Sequence, residues 1–179
     1  FVDMTTHWAH ATIKHLNNEG IINGREKGLF KPDDPVSLDE AVKLLFNAKG
    51  IWFETPDLKW SMYYINEAIR RGWMMPTQAD KTEEPITRYE MAMLLYNIYD
   101  GEKAPDPRYS FALKDFELIP HEYRNAVLYS MLNGYLAGHD DHAFKGENYI
   151  TRAECVKIIE RIIIYSSKAN NSKLWVPHI

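Results

Sequence analysis

The sequence predicts an all-α fold built from three similar helix–loop–helix units, and three observations predict it. First, a short phrase is written three times, as Ser37-Leu38-Asp39-Glu40, Thr87-Arg88-Tyr89-Glu90 and Thr151-Arg152-Ala153-Glu154. Each copy follows a β-branched residue (Val36, Ile86, Ile150) and precedes an apolar run at helical spacing. Second, the first and third copies stay in register without a gap: Ile13 falls on Val127, Gly20 on Gly134, Gly24 on Gly138, Phe30 on Phe144, Glu40 on Glu154 and Leu45 on Ile159. Third, the middle copy matches at both ends, with Trp60, Ile65 and Gly72 under Trp8, Ile13 and Gly20, and Pro85, Ile86, Glu90 and Leu95 under Pro35, Val36, Glu40 and Leu45. Its loop is two residues shorter and lacks counterparts of Gly24 and Phe30. Self-similarity of this length marks a repeat architecture.

In each unit the first helix carries apolar residues at helical spacing (Trp8, Ile13, Leu16, Ile21 in the first) and ends at a glycine suited to a left-handed C-cap. A loop rich in Gly, Pro and Asp follows, from Gly24 to Pro35 in the first copy. The second helix opens at the repeated phrase, which reads as a capping box: the hydroxyl accepts from the Glu backbone N–H, and the Glu carboxylate accepts from the cap N–H. Such a cap is worth about 1 kcal/mol. Beyond it lie the stripes Ala41, Leu44, Leu45; Ala92, Leu94, Leu95; and Val156, Ile158, Ile159, Ile162, which need apolar partners and predict a helical bundle with projecting loops. The predicted units are residues 1–52, 53–103 (with the shortened loop) and 104–179, the last including a tail from Ser166 whose path the pattern leaves open.

The chain has 179 residues, 45% of them hydrophobic, which suffices for a substantial core. Net charge is −4 and the basic residues are scattered, which argues against nucleic acid. No apolar run reaches membrane-spanning length and no signal peptide opens the chain. It begins at Phe1 rather than Met, so a processed or excised piece, with any targeting segment removed, is expected. The single Cys155 excludes an internal disulfide and stands where the other copies have Ala41 and Ala92.

The segments Phe1-x-Asp3, His7-Trp8-Ala9, Gly20-Ile21-Ile22-x-Gly24 and Gly28-x-Phe30-x-Pro32-Asp33, with Thr151-Arg152-Ala153-Glu154, resemble the S-layer homology domain of bacterial surface proteins. The resemblance covers nearly the whole chain as three tandem modules. It implies a pseudo-threefold, three-pronged arrangement around a central three-helix bundle, with inter-module grooves that bind a secondary cell-wall polysaccharide. That polymer commonly carries a pyruvate ketal, and the implied role is non-covalent anchoring of a surface protein on the bacterial cell wall. Implied partners are this anionic glycan and a fused or associated surface protein, with no cofactor.

A ketal carboxylate suits the planar fork of arginine. Arg88 and Arg152 stand at helix starts, where backbone N–H groups and the helix dipole also favour an anion. The first copy has Leu38 at that position, so the groove using it is expected to be weak or empty. Trp8 and Trp60 are candidates for the face of a sugar ring, with Glu122 and Tyr123 in the third copy; large aromatics at helical spacing also pack cores, and the residues alone leave both readings open. Gly24 and Gly138 are candidates for close backbone approach to the ligand.

Other constellations are weaker. His139-Asp140-Asp141-His142 lies over Arg25-Glu26-Lys27-Gly28 of the first copy and reads as a variable turn rather than a metal loop. His7 and His10 read as a helix start. No catalytic triad, P-loop or dinucleotide fingerprint appears, so no catalytic residue is assigned. The competing reading is a protein–protein scaffold, favoured by Leu38 and the shortened middle loop.

Overall fold

A computed structural model describes residues 1–25, 28–54, 59–99, 113–139 and 141–173, with side chains through residue 164. Among these the fold is all-α, with helices α1 (His10–Asn18), α2 (Leu38–Ala48), α3 (Trp60–Arg70), α4 (Arg88–Ile98), α5 (His121–Leu132) and α6 (Arg152–Lys173). Short 3-10 segments lie at Val2–Met4, Pro76–Lys81 and Phe116–Leu118; the second of these forms the shortened middle loop. The expected tail from Ser166 is helical as far as Lys173, and its last six residues lie outside the described ones.

Each first helix ends as its glycine dictates. Gly20, Gly72 and Gly134 have φ of 70°, 73° and 68°, a conformation that an L side chain rarely adopts. The next residue then donates back to the helix: Ile21 to Leu16, Trp73 to Ala68 and Tyr135 to Ser130, at 2.8–2.9 Å.

The three second helices meet at their starts. Val36 donates its N–H to the Ile150 carbonyl (2.9 Å), Ile150 donates to Ile86 (3.0 Å), and Ile86 donates to Val36 (3.0 Å), closing a ring of backbone hydrogen bonds. The β-branched residues before the three phrases are therefore the hub, and all three are buried. Leaving backbone groups unpaired there would be costly, and the ring pairs them.

Packing crosses the boundaries of the repeat units. Helix α2 packs on α3, α4 on α5, and α6 on both α1 and α2. Each second helix thus takes the first helix of the next unit as a partner, with α6 returning to α1. Phe46 on α2 shows what such a joint holds: its ring lies 4.2 Å from Trp73 and 5.7 Å from Tyr64, both of the second unit. Burying a side chain of this size contributes roughly 1.5–3 kcal/mol.

Candidate functional site: three inter-repeat clefts

The repeated phrase does more than cap a helix. Thr87 and Thr151 form complete boxes: Glu90 N donates to Thr87 Oγ1 and Glu154 N to Thr151 Oγ1, both at 3.2 Å. The Thr backbone N–H groups donate in return to Glu90 Oε2 (2.8 Å) and Glu154 Oε2 (2.9 Å). In the first copy Asp39 intervenes, taking Glu40 N at 2.7 Å and the Ser37 hydroxyl at 2.5 Å. The Ser37 N–H reaches Glu40 only at 3.5 Å.

The helix-start N–H groups are not free to receive an anion, contrary to the expectation from sequence. Arg88 N donates to Asn148 O and Tyr89 N to Gly146 O; Arg152 N donates to Asp34 O and Ala153 N to Pro32 O, all at 2.9–3.0 Å. The loop of a neighbouring unit occupies each helix start. What remains for a ligand is side-chain chemistry.

The two arginines are also more deeply placed than solvated helix-start residues, at 5% and 6% exposure. Arg88 donates from Nε to Phe144 O (2.9 Å) and from Nη2 to Ala137 O (2.5 Å), and lies over the Phe144 ring at 4.8 Å. Arg152 repeats this on the first unit, from Nε to Phe30 O (2.9 Å) and from Nη2 to Asn23 O (3.3 Å), over the Phe30 ring at 4.5 Å. Each guanidinium pins a neighbouring loop. Burial lowers the pKa of both from the ordinary arginine value.

Their carboxylate partners differ. Arg152 Nη1 donates to Glu40 Oε1 at 3.0 Å, and Arg25 grips the same carboxylate from Nε (3.2 Å) and Nη2 (2.7 Å). Burial works against ionising Glu40, but the bonds from Arg25 and the charge of Arg152 outweigh it and hold the group below the usual range. Arg25 is therefore more than a turn residue. Among the described residues Arg88 has only Glu154 as an ion-pair partner, at 3.8 Å.

Three clefts lie at the unit junctions, each drawing on all three units. The first combines Asn23, Gly24, Phe30, Glu40, Lys43 and Asn47 with Arg152 and Trp60. In the third, Tyr135, Gly138, His139, Glu154, Lys157 and Arg161 meet Arg88 and Trp8. The second brings Trp73, Met75, Lys81, Glu84, Glu90 and Met93 to Leu38, Glu122 and Tyr123. One brace recurs in all three: Asn47 Nδ2 donates to Ile21 O (2.9 Å), Asn97 Nδ2 to Trp73 O (3.0 Å) and Arg161 Nη1 to Tyr135 O (3.0 Å).

The sequence candidates fall into these clefts unequally. Trp8 is 62% exposed beside Arg88, which removes the core reading for it. Trp60 is half-buried, with Lys43 Nζ 4.6 Å from its ring centroid. Gly24 has an internal reason to be glycine, since a Cβ there would lie 2.4 Å from the Phe1 ring and 2.8 Å from Leu29 O. At Gly138 a Cβ meets only ordinary contacts of 3.5 Å and longer. Leu38 is buried, and its backbone N–H donates to Glu84 O of the neighbouring unit's loop at 3.0 Å.

Sequence reasoning missed Asp115, which accepts from Phe144 N and Lys145 N as Asp3 accepts from Phe30 N and Lys31 N. The paired left-handed residues Lys31 (φ 57°) and Lys145 (φ 53°) follow from these bonds. It also missed Gly146. A Cβ there would fall inside the Tyr89 ring, so the Ala153–Pro32 pairing of one joint is replaced by Tyr89–Gly146 in another. The signal was present as Pro32 aligned with Gly146.

His7 and His10 are internally engaged. His7 Nδ1 accepts from Ala9 N (3.1 Å), and His10 Nδ1 lies 2.8 Å from Met4 O. Among the described residues no group of three or more His, Cys, Asp or Glu is placed to hold a metal ion, and no helix is long and apolar enough to cross a membrane. Cys155 is buried, which pushes its thiol up to about 12.

Comparison with known proteins gives first a class and then relatives. Residues 1–42, which supply much of the first cleft, match the S-layer homology domain family. The chain is 27% identical over 180 residues to a cellulosome-anchoring protein of Acetivibrio thermocellus, covering 88% of this chain and 39% of that protein. It is 23% identical over 161 residues to cell surface glycoprotein 1 of the same organism, covering 79% of this chain and 7% of that protein. The chain thus spans well under half the length of either relative.

Proposed function

We propose that this chain is a non-catalytic module that anchors a bacterial surface protein on the cell wall, holding an anionic, pyruvylated wall polysaccharide in clefts between three modules (residues 1–52, 53–103 and 104–179) related by a pseudo-threefold axis. A surface location agrees with the names of both relatives and with the family match over residues 1–42. The observation that carries the reading is the third cleft, where an exposed Trp8 face stands beside Arg88, Arg161 and Lys157, the last paired with Glu160 at 2.5 Å, against one lining carboxylate, Glu154.

A guanidinium has five N–H donors, and Arg88 spends two on carbonyls. Its remaining donors face a carboxylate 3.8 Å away, so a ketal carboxylate competes there against a weak internal pair. His139, whose Nε2 has no hydrogen-bond partner among the described residues, lines the same cleft. Gly138, under no internal steric demand, admits the ligand close to backbone.

The first cleft is the secondary site in this reading. It offers Trp60, Gly24 and the unpartnered Asn47 Oδ1, but the charge of Arg152 is already matched by Glu40. Cosedimentation with purified wall sacculi tests the proposal. The chain is expected to pellet with native sacculi and to stay in solution with depyruvylated ones. Remaining in solution with both would favour the scaffold reading, and pelleting equally with both would remove the carboxylate from the mechanism.

A further inference from the structure

The second cleft follows the repeat geometry of the other two with the charge pattern reversed. Where the others place an arginine it has Leu38, where they have Lys43 and Lys157 it has Met93, and where they have a tryptophan it has Glu122. Its own cation, Lys81, is exposed and faces three lining carboxylates, Glu84, Glu90 and Glu122. The cavity holds about 610 Å3, against about 120 Å3 and 260 Å3 for the first and third.

The capping-box glutamates show what is missing. Glu40 Oε1 meets Arg152 and Glu154 Oε1 faces Arg88. Glu90 keeps Oε2 on Thr87, as Glu154 does on Thr151, but its Oε1 has no partner among the described residues. The residue that would supply one is Leu38, whose side chain can donate nothing.

We infer that the second cleft accepts a guanidinium from outside the chain: the arginine side chain of a partner polypeptide, set against Glu90 and flanked by Glu84 and Glu122. Twice in this molecule the equivalent glutamate faces an arginine delivered by a neighbouring unit, so the sister clefts define the ligand. Exposed Met75, with Met93 and Tyr123, provides an adaptable apolar surface for the arginine stem and adjoining peptide. This cleft is then a protein-docking site, distinct in ligand class from the anion-binding clefts.

Calorimetric titration of the full chain with a blocked arginine tripeptide, and with its uncharged citrulline isostere, tests the assignment. Saturable binding of the arginine peptide is expected, with citrulline at least about tenfold weaker, as for loss of a charge-assisted hydrogen bond. Leu38→Arg fills the position from within and is expected to abolish binding; should that variant unfold, Met93→Lys, which copies Lys43 and Lys157, is expected to weaken it. Equal affinity for the two peptides, no binding of the arginine peptide, or binding of an amino-sugar oligosaccharide in its place would overturn the inference. No wall polymer enters the titration, so its result is separate from that of the anchoring test.

Discussion

The second and third clefts stand at equivalent junctions and carry opposite charge. In the third, Arg88, Lys157 and Arg161 face Glu154; in the second, Glu84, Glu90 and Glu122 face Lys81. The scaffold is untouched by this inversion. The same ring of Val36, Ile86 and Ile150 holds both, and the same brace runs from α4 to Trp73 and from α6 to Tyr135. Framework and cleft charge are therefore separable here, with a few helix-start and helix-face positions setting the charge that lines each cleft.

The sharpest way to break the comparison is Arg88→Leu, which gives the third cleft the second cleft's residue. It strips donors from Phe144 O and Ala137 O and isolates Glu154, and the expected cost is about 3 kcal/mol in chemical denaturation. Arg152→Leu strips Phe30 O and Asn23 O in the same way but leaves Glu40 held by Arg25, so it should cost less. A smaller loss, about 1–3 kcal/mol, is expected for Gly146→Ala, whose new Cβ overlaps the Tyr89 ring. In a Tyr89→Ala background, itself destabilised by loss of a buried ring, Gly146→Ala should add little further cost, as a double-mutant cycle would show.

Stability against pH gives a third, smaller effect. The Glu40 carboxyl is held below its ordinary value of 4.5, so its contribution is complete above that pH and is lost as pH falls through the lowered folded value. Neighbouring Asp39 has the opposite sign: burial raises its pKa, and its unfavourable contribution is relieved on acidification. Glu40→Gln should flatten the acid limb of the unfolding profile, whereas Asp39→Asn should steepen it. The smallest stability change belongs to Trp8→Ala, within about 0.5 kcal/mol, because the side chain is 62% exposed.

Much of the frame was legible as sequence. The three phrases located the starts of α2, α4 and α6 and the glycines located the ends of α1, α3 and α5, whereas the β-branched residues before the phrases became a hub only once the three starts met. The roles of the phrases and glycines were local and so written in local spacing. The site was legible as positions but not as states. Arg88, Arg152, Trp8 and Trp60 do line clefts, yet burial of the arginines depends on which loop folds over which helix start, and that crosses more than a hundred residues for Arg152 and Phe30. The same holds for Arg25, which meets Glu40 only once the first loop is closed by Asp34 and Pro35. Tyr89 and Gly146 look like two unrelated departures until the joint places one ring over one backbone.

The most direct test is calorimetric titration of pyruvylated wall polymer into the chain, comparing Trp8→Ala with Trp60→Ala. With the third cleft as the principal anion site, Trp8→Ala is expected to weaken binding about tenfold, as for loss of a ring contact of about 1.4 kcal/mol, and Trp60→Ala by no more than a few-fold. Equal losses from the two variants, or a larger loss from Trp60→Ala, would contradict the account.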